Sequence, residues 1–226
     1  MLQNTIIKKG DNMPRFFAEP ENIKGNTITL YSDDAAHISR VLRGKTGDIL
    51  TVCDGTGSDY IAEITDISDK SVILEIKETL DTKSEPSVKI TLYQGLPKGD
   101  KMELIIQKAV ELGAYSVVPV AMKRSVVKLD AKKAKAKVER WNGIALSAAK
   151  QSKRSIQPEV TEVMTFKQAL EYAGKLDKLL LPYECAEGME KTRKVIEEIG
   201  HGESVGIFIG GMRRSDDDNN RNYRRR

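Results

Sequence analysis

Residues that bind metals or form disulfide bonds are scarce in this sequence. Its two cysteines, Cys53 and Cys185, and its two histidines, His37 and His201, share no spacing typical of a metal site. No run approaches the ~20 apolar residues of a membrane span, and the first residues lack the apolar region of a signal peptide. We therefore expect no metal, no membrane segment, reduced thiols and a cytoplasmic location.

The body of the chain also lacks net charge, although the whole sequence carries +4. Three of those charges lie in residues 212–226 and one in residues 1–12, so residues 13–211 are formally neutral. Within that neutral body, residues 123–154 carry eleven lysines and arginines against two acids. Such an excess of one sign indicates a polyanionic partner, and a solvated helix face is the alternative interpretation.

Specific contacts with a polyanion are predicted at the ends of this basic segment, at Arg124, Gln151 and Arg154. These residues lie near expected loop boundaries, whereas the lysines between them follow a helix. Lys98 and Lys101 add cations at the start of another predicted helix, where the macrodipole favours anions. This conflict also hints at a negatively charged partner, and two solvated lysines on a turn are the alternative.

Residues 13–78 show the short alternating strands and turn residues of a small β-barrel. A helix over Asp33–Arg43, capped by Ser32 or Asp33, interrupts these strands. We expect one edge of this helix to be polar and to contact nucleic acid, and the other to pack inward. The polar edge comprises His37, Arg40 and Arg43, and the inward residues are Ile38, Val41 and Leu42. A solvated basic face is the alternative.

The pattern changes after residues 79–87, a polar segment that we interpret as a linker. Strands and helices then alternate, and continuous apolar strands such as Val205–Ile209 suit a parallel sheet covered on both faces. Residues 88–211 are therefore predicted to form an α/β domain whose ligands lie at the carboxyl ends of the strands. Residues 1–12 are predicted to be a disordered extension, and residues 212–226 a low-complexity tail.

The first helix of this domain has clear boundaries in the sequence. Asp100 and Glu103 are spaced as an acidic capping box, and Gly113 stands where a helix stop is expected. One apolar stripe is predicted along it, formed by Met102, Ile105, Ile106, Ala109 and Leu112. A glycine fingerprint of the dinucleotide-binding type is missing from the turn before this helix, because Gly95 and Gly99 do not supply it.

Several long motifs resemble one known family. They read LPKGDKMELIIQKAVELG, PVAMKRSVVK and ERWNGIALSAAKQSKR, and the earlier segment reads HISRVLRGKTGDILTVCDGTGSDYIAEI. The chain resembles, from about Met13 to Gly210, the bacterial methyltransferases that modify uridine N3 in 16S ribosomal RNA of the small subunit. The resemblance implies a PUA-like RNA-binding barrel, a SPOUT methyltransferase domain with a trefoil knot, S-adenosylmethionine as methyl donor, and a homodimer.

The resemblance also assigns roles to individual residues. RNA-binding roles fall on His37, Arg40, Arg43, Lys98, Arg124, Gln151 and Arg154. The donor would bind at Leu181, Pro182, Tyr183, Ile209 and Gly210, after two late strands. No residue is identified as the base for the uracil imide, so the catalytic residues stay unknown.

The sequence departs from the family pattern after Gly210. The family continues with a Pro-Glu-Gly-Gly run and a knot-closing segment, whereas this chain continues with Gly211, Met212 and a tail of Asp, Asn and Arg. A frameshifted or truncated gene product would explain the departure, and a natural RNA-binding remnant is the alternative. The departure predicts weak or absent methyl transfer, and it puts the donor site, the knot and the dimer interface in doubt.

Overall fold

The computed structural model describes residues 15–80, 85–122, 130–182 and 190–210. These residues form two compact units. The first unit contains the chain up to Glu85 together with Ala149–Gln157, and the second contains Pro86–Ala148 and the chain from Pro158 onward. Sequence reasoning assigned residues 149–157 to the C-terminal domain, whereas their contacts group them with the first unit. Among the described residues, no helix is long and apolar enough to cross a membrane.

The first unit is built on one curled six-stranded sheet in the order β1-β4-β5-β6-β3-β2. The strands are β1 (Arg15–Phe17), β2 (Ile23–Lys24), β3 (Thr27–Tyr31), β4 (Ile49–Cys53), β5 (Asp59–Ile67) and β6 (Ser71–Leu80). Strands β1 and β4 are parallel, and the other pairs are antiparallel. Two register shifts between β5 and β6 increase the local twist and help the sheet to curl into a half-barrel. Strand β6 also extends two residues into the segment predicted as a linker.

The core of the first unit follows the alternation of its strands. Apolar residues two apart face the same side of a strand, so each strand contributes a pair to the buried face. These pairs are Ile28 and Leu30, Leu50 and Val52, Ala62 and Ile64, and Val72 and Leu74, all at most 4% exposed. Ala35 and Ile38 cover this face from the helical segment and are fully buried.

The predicted single helix over Asp33–Arg43 is wrong in its second half. Helix α1 spans Ser32–Ala36, and a π-helical turn follows over His37–Val41. No side chain caps the start of α1, so the predicted capping by Ser32 or Asp33 is also wrong. The extra residue in the π turn rotates the chain, which leaves Val41 66% and Leu42 39% exposed instead of packed inward.

The second unit is an α/β unit with a parallel sheet, as the continuous apolar strands predicted. Its strands are β7 (Lys89–Gly95), β8 (Ser116–Ala121), β9 (Glu159–Val160), β10 (Met164–Thr165), β11 (Lys178–Leu180) and β12 (Ser204–Ile209). Its helices are α2 (Lys101–Glu111), α3 (Ala131–Gln151), α4 (Phe166–Ala173) and α5 (Glu190–Glu197). The strand order is β10-β8-β7-β12-β11, with β9 also pairing to β8, and every pair is parallel.

Helix α2 lacks the predicted side-chain cap at its start, whereas Gly113, with φ +97°, follows its last turn as the predicted helix stop. Asp100 precedes the helix but forms no side-chain cap, and Glu103 accepts a hydrogen bond from Arg140 at 2.8 Å. The buried face consists of Met102, Ile106 and Val110. Leu112, predicted to belong to the apolar stripe, is 85% exposed because the helix ends at Glu111.

Candidate functional site

The carboxyl edge of the parallel sheet gathers the residues predicted to bind a methyl donor. Parallel strands end at the same edge, so the segments that follow β7, β11 and β12 lie there together. Leu181 and Pro182 follow β11, while Ile209 ends β12 and pairs with Gln94 near the end of β7. Tyr183 lies outside the described residues.

Two glycine backbones touch at this edge. A Cβ atom on Gly210 would lie 3.0 Å from the Cα of Gly95, and a Cβ on Gly95 would lie 3.3 Å from the Cα of Gly210. Gly210 also has φ +141°, a conformation that residues with side chains rarely adopt. Backbone conformation and space therefore both favour glycine at position 210, and the close approach leaves little room for a side chain at position 95. Sequence reasoning missed Gly95, although a glycine that ends an apolar strand was the available signal.

The side chains around these glycines are uncharged. Gln94 is 7% exposed and donates from Nε2 to the carbonyl of Gly95 at 2.9 Å. Leu181 packs against the apolar cluster of the unit, Pro182 is exposed, and Ile209 is 48% exposed. Such an edge can position a ligand through backbone groups and apolar contacts. Among the residues described here, it supplies no group suited to remove a proton.

Tyr93 lies next to this edge but belongs to the core. Its ring stacks on Phe208 with centroids 4.4 Å apart, and Phe166 meets Phe208 edge-on at 5.9 Å. Burial raises the pKa of the Tyr93 hydroxyl above its usual range, with a smaller contribution from Tyr172. The hydroxyl therefore stays protonated near neutral pH and does not act as a base.

Three of the predicted RNA-binding residues lie exposed in the first unit. His37, Arg40 and Arg43 fall on or just after the π turn. Arg40 donates to Asp69 at 2.7 Å, and Ser39 donates to the same carboxylate at 2.8 Å. Arg43 has φ +54°. That conformation costs a non-glycine residue roughly 1–2 kcal/mol.

Arg154 was predicted to contact RNA, but the structure buries it within the first unit. Its side chain is 4% exposed, and it donates to Glu85 Oε2 from Nη2 at 2.6 Å and from Nε at 3.1 Å. Glu85 also accepts the backbone amides of Ser155 at 2.8 Å and Ile156 at 3.0 Å. The guanidinium therefore anchors the chain instead of facing a phosphate.

Other polar residues of the 149–157 segment also anchor this part of the chain within the first unit. Lys150 donates to Asp34 at 2.8 Å and lies over the ring of Phe16 at 5.8 Å. Buried Asp59 accepts hydrogen bonds from Arg15 and, at 3.0 Å, from the Ser155 hydroxyl. Of the basic segment singled out in the sequence, Lys133, Arg140, Lys150 and Arg154 thus pair with acidic side chains of the chain itself.

The remaining predicted contacts are exposed or lie outside the described residues. Gln151 is exposed at the end of α3. Lys98 is exposed in the loop that leaves the carboxyl edge after β7. Arg124 lies in a segment that the structure does not describe. His37, Arg40 and Arg43 therefore lie within one short segment of the first unit, whereas Lys98 belongs to the second unit.

The two units define a class of protein. An open parallel sheet with a backbone-lined carboxyl edge is typical of α/β enzymes that bind an extended organic cofactor. A small curled sheet carrying exposed arginines is typical of modules that bind nucleic acid. Together they indicate an enzyme that acts on a nucleic acid.

Comparison with known proteins specifies this class. The RNA methyltransferase domain family matches residues 83–211, and the RNA methyltransferase PUA domain family matches residues 30–77. The chain is 39% identical to ribosomal RNA small subunit methyltransferase E of Bacillus subtilis, over 88% of this chain and 80% of that protein. Its similarity to the Synechocystis protein of the same name is 34% identity over 74% of this chain and 53% of that protein.

Solved structures agree with these sequence matches. The fold resembles a ribosomal RNA small subunit methyltransferase E from Neisseria gonorrhoeae bound to S-adenosyl methionine, with TM-score 0.71, 30% identity, and coverage of 92% of this chain and 84% of that one. It also resembles a methyltransferase from Legionella pneumophila in complex with the same cofactor, with TM-score 0.76, 26% identity, and coverage of 92% and 85%. This chain belongs to the RNA methyltransferase family.

Proposed function

We propose that this protein transfers a methyl group from S-adenosylmethionine to N3 of a uridine in 16S ribosomal RNA of the small subunit. Family membership supports the reaction class and the ribosomal RNA substrate. The observation that carries the proposal is the contact between Gly95 and Gly210 at the carboxyl edge of the parallel sheet. The choice of uridine N3 rests on the resemblance of the motifs alone.

The residues of the edge fit the proposed cofactor. Gly210 is exposed at the edge and Gly95 packs beneath it, so the backbone of Gly210 is accessible to a ligand that needs amide and carbonyl partners. Leu181, Pro182 and Ile209 would supply apolar walls, and Gln94 holds the carbonyl of Gly95 in place. When bound, S-adenosylmethionine supplies an electrophilic methyl group on a sulfonium centre.

The contribution of the protein to the reaction is then mainly positioning. An in-line displacement requires the uracil nitrogen to face the methyl group, and holding both partners removes much of the entropic barrier. Arg40 and Arg43 would bind RNA phosphates on the first unit, and Lys98 would do so beside the carboxyl edge. The uracil imide must lose its proton, and the base for that step is not among the described residues of the edge.

The cellular setting follows from the substrate. An enzyme of ribosomal RNA acts in the cytoplasm, and we propose that location together with a homodimer for this chain. Sedimentation velocity of the purified protein tests the dimer, and a single monomeric species at all concentrations would contradict it.

Isothermal calorimetry with S-adenosylmethionine tests the cofactor assignment on the full chain. Donor binding supports the proposal and overturns the prediction of weak transfer that the sequence after Gly210 suggests. Transfer of a labelled methyl group to small ribosomal subunits, followed by nucleoside mass spectrometry, then identifies N3. If neither binding nor transfer is detected while RNA is bound, the protein is the non-catalytic RNA-binding alternative and the proposal fails.

A further inference from the structure

Two apolar side chains stand exposed beside two arginines and a histidine in the first unit. Val41 is 66% and Leu42 is 39% exposed, and His37, Arg40 and Arg43 are exposed within the same seven residues. We call these five residues the 37–43 surface. Single exposed apolar residues are common on proteins and indicate nothing alone. The backbone beneath this pair supplies a further reason to assign it a role.

The backbone adopts two uncommon conformations that keep this surface open. The π turn closes through a hydrogen bond from the Leu42 amide to the His37 carbonyl at 3.0 Å. An uninterrupted α-helix would place Val41 on the same face as buried Ile38, three residues earlier. Arg43 then takes φ +54°, where glycine is usual, although Gly44 follows directly. Sparsely populated backbone conformations of this kind concentrate at functional sites.

The surface is also held in one orientation. Asp69, in the loop between β5 and β6, accepts hydrogen bonds from Ser39 and Arg40. This contact ties the π turn to the sheet and fixes the direction of the Arg40 guanidinium. Arg43 forms no ion pair with any residue that the structure describes, so its guanidinium is available to an external anion.

We infer that the 37–43 surface binds unpaired nucleotides of RNA, with bases against Val41 and Leu42 and phosphates on the cations. This inference rests on the proposed function for the identity of the polymer and adds the mode of recognition. Bases in a duplex are stacked on one another, so apolar side chains reach their faces only where the strand is unpaired. A purely electrostatic phosphate site would need no exposed valine or leucine. Interfaces with a second protein are enriched in tyrosine, tryptophan, phenylalanine and methionine, and the 37–43 surface contains none of these residues.

The apolar half of the surface is tested with Val41→Ser/Leu42→Ser in the full chain. Fluorescence anisotropy would measure binding to a labelled hairpin RNA with a uridine-rich loop and to a fully paired RNA of the same length. We expect hairpin affinity to fall about ten-fold, with a much smaller change for the duplex. Leu112→Ser is the matched control, because Leu112 is 85% exposed on the second unit and lies outside both proposed binding regions.

The cationic half is tested at Arg43, where charge and backbone strain can be separated. Arg43→Asn removes the charge but tolerates a positive φ, so the melting temperature should hold or rise while RNA affinity falls. The slope of log RNA affinity against log salt concentration should also become shallower in this variant, by the amount expected for the loss of about one ionic contact. Arg43→Lys keeps the charge in the same strained conformation and should retain most of the affinity. A structural role for Arg43 would instead lower the melting temperature of the asparagine variant.

Three outcomes would overturn the inference. The first is a hairpin affinity that stays unchanged in both the Val41/Leu42 and the Arg43→Asn variants. The second is an equal loss for hairpin and duplex in the Val41/Leu42 variant. The third is an altered sedimentation coefficient with unaltered RNA binding, which would make this surface a contact between copies of the chain. RNA binding is measured here without methyl donor, so a failure of the proposed catalysis is detected separately, by calorimetry.

Discussion

Breaking the ion pair between Glu85 and Arg154 should destabilise the first unit. Glu85 is the last residue before the chain enters the second unit, and Arg154 lies in the segment that returns to the first. The Arg154 side chain is 4% exposed and that of Glu85 is 15% exposed. Replacing Glu85 with alanine would leave a buried guanidinium without this partner, and the amides of Ser155 and Ile156 would lose their acceptor.

The expected loss follows from the burial of the pair. Removing one partner of a buried ion pair destabilises a protein by about 3–5 kcal/mol. We expect about 3 kcal/mol for Glu85→Ala, the lower end of that range, because Glu85 retains 15% of its side-chain surface. For a chain of this length, such a loss lowers the melting temperature by about 6–12 °C. Glu85→Leu/Arg154→Met should recover part of the loss, since the guanidinium that has lost Glu85 is itself replaced by an apolar side chain.

The contribution of Glu85 should also depend on pH. Burial alone would raise the pKa of this carboxyl, but hydrogen bonds from Arg154 and from the Ile156 and Ser155 amides outweigh it and lower the pKa. A lowered folded-state pKa gives stability that is complete above the unfolded value of about 4.3 and is lost as pH falls through the folded value. The difference in the free energy of unfolding between wild type and Glu85→Ala should therefore be largest at neutral pH and decrease as the pH falls into the acid range.

Differential scanning calorimetry and circular dichroism at several pH values would measure this effect. The single tryptophan, Trp141, lies in the second unit, so its fluorescence follows that unit separately. Glu171→Ala is a suitable control, because its pair with Lys167 is exposed and long at 3.9 Å. That control should change the free energy of unfolding by less than about 1 kcal/mol. If Glu85→Ala costs no more than the control, or its effect is independent of pH, the reasoning is refuted.

Two further substitutions test the second unit. Gly210→Ala should weaken donor binding in calorimetry and lower stability by about 1–3 kcal/mol, because its Cβ would lie 3.0 Å from Gly95. Gly202→Ala is the control, because Gly202 has a positive φ of 85° but open space around it. An equal effect of both substitutions on donor binding would argue that the donor does not bind at the carboxyl edge. Asn142→Ala should cost about 2 kcal/mol in denaturant unfolding, because Asn142 bonds both the amide (2.9 Å) and the carbonyl (2.8 Å) of Val160. A loss below about half a kcal/mol would show that water replaces those bonds.

Much of the local structure could be predicted from the spacing of apolar residues. Strand Thr27–Tyr31 lies in the segment predicted to form short strands, and helix Ala131–Gln151 carries the lysines that were predicted to follow a helix. Apolar spacing encodes local structure directly, because a residue's periodicity determines which face of its own element is buried. The continuous apolar strands likewise predicted the parallel sheet, since only strands covered on both faces need them.

The prediction failed where a side chain found its partner far along the chain. Arg154 and Lys150 were interpreted as part of a polyanion surface, but their partners Glu85 and Asp34 lie 69 and 116 residues away. The acidic capping box predicted at Asp100 is also absent, and its second member, Glu103, pairs with Arg140 on another helix. A charge pattern in sequence does not state which charges are already neutralised.

The sequence by itself therefore determined the two-part organisation, the parallel sheet and the family. Tertiary structure alone decided which cations remain available, because that depends on long-range pairing. It also decided that Gly95 touches Gly210 and that Val41 turns outward. The contact between the two glycines results from the order of strands in the sheet, and the exposure of Val41 results from one extra residue in a helical turn. Neither can be read from local spacing, because each depends on the packing of the folded chain.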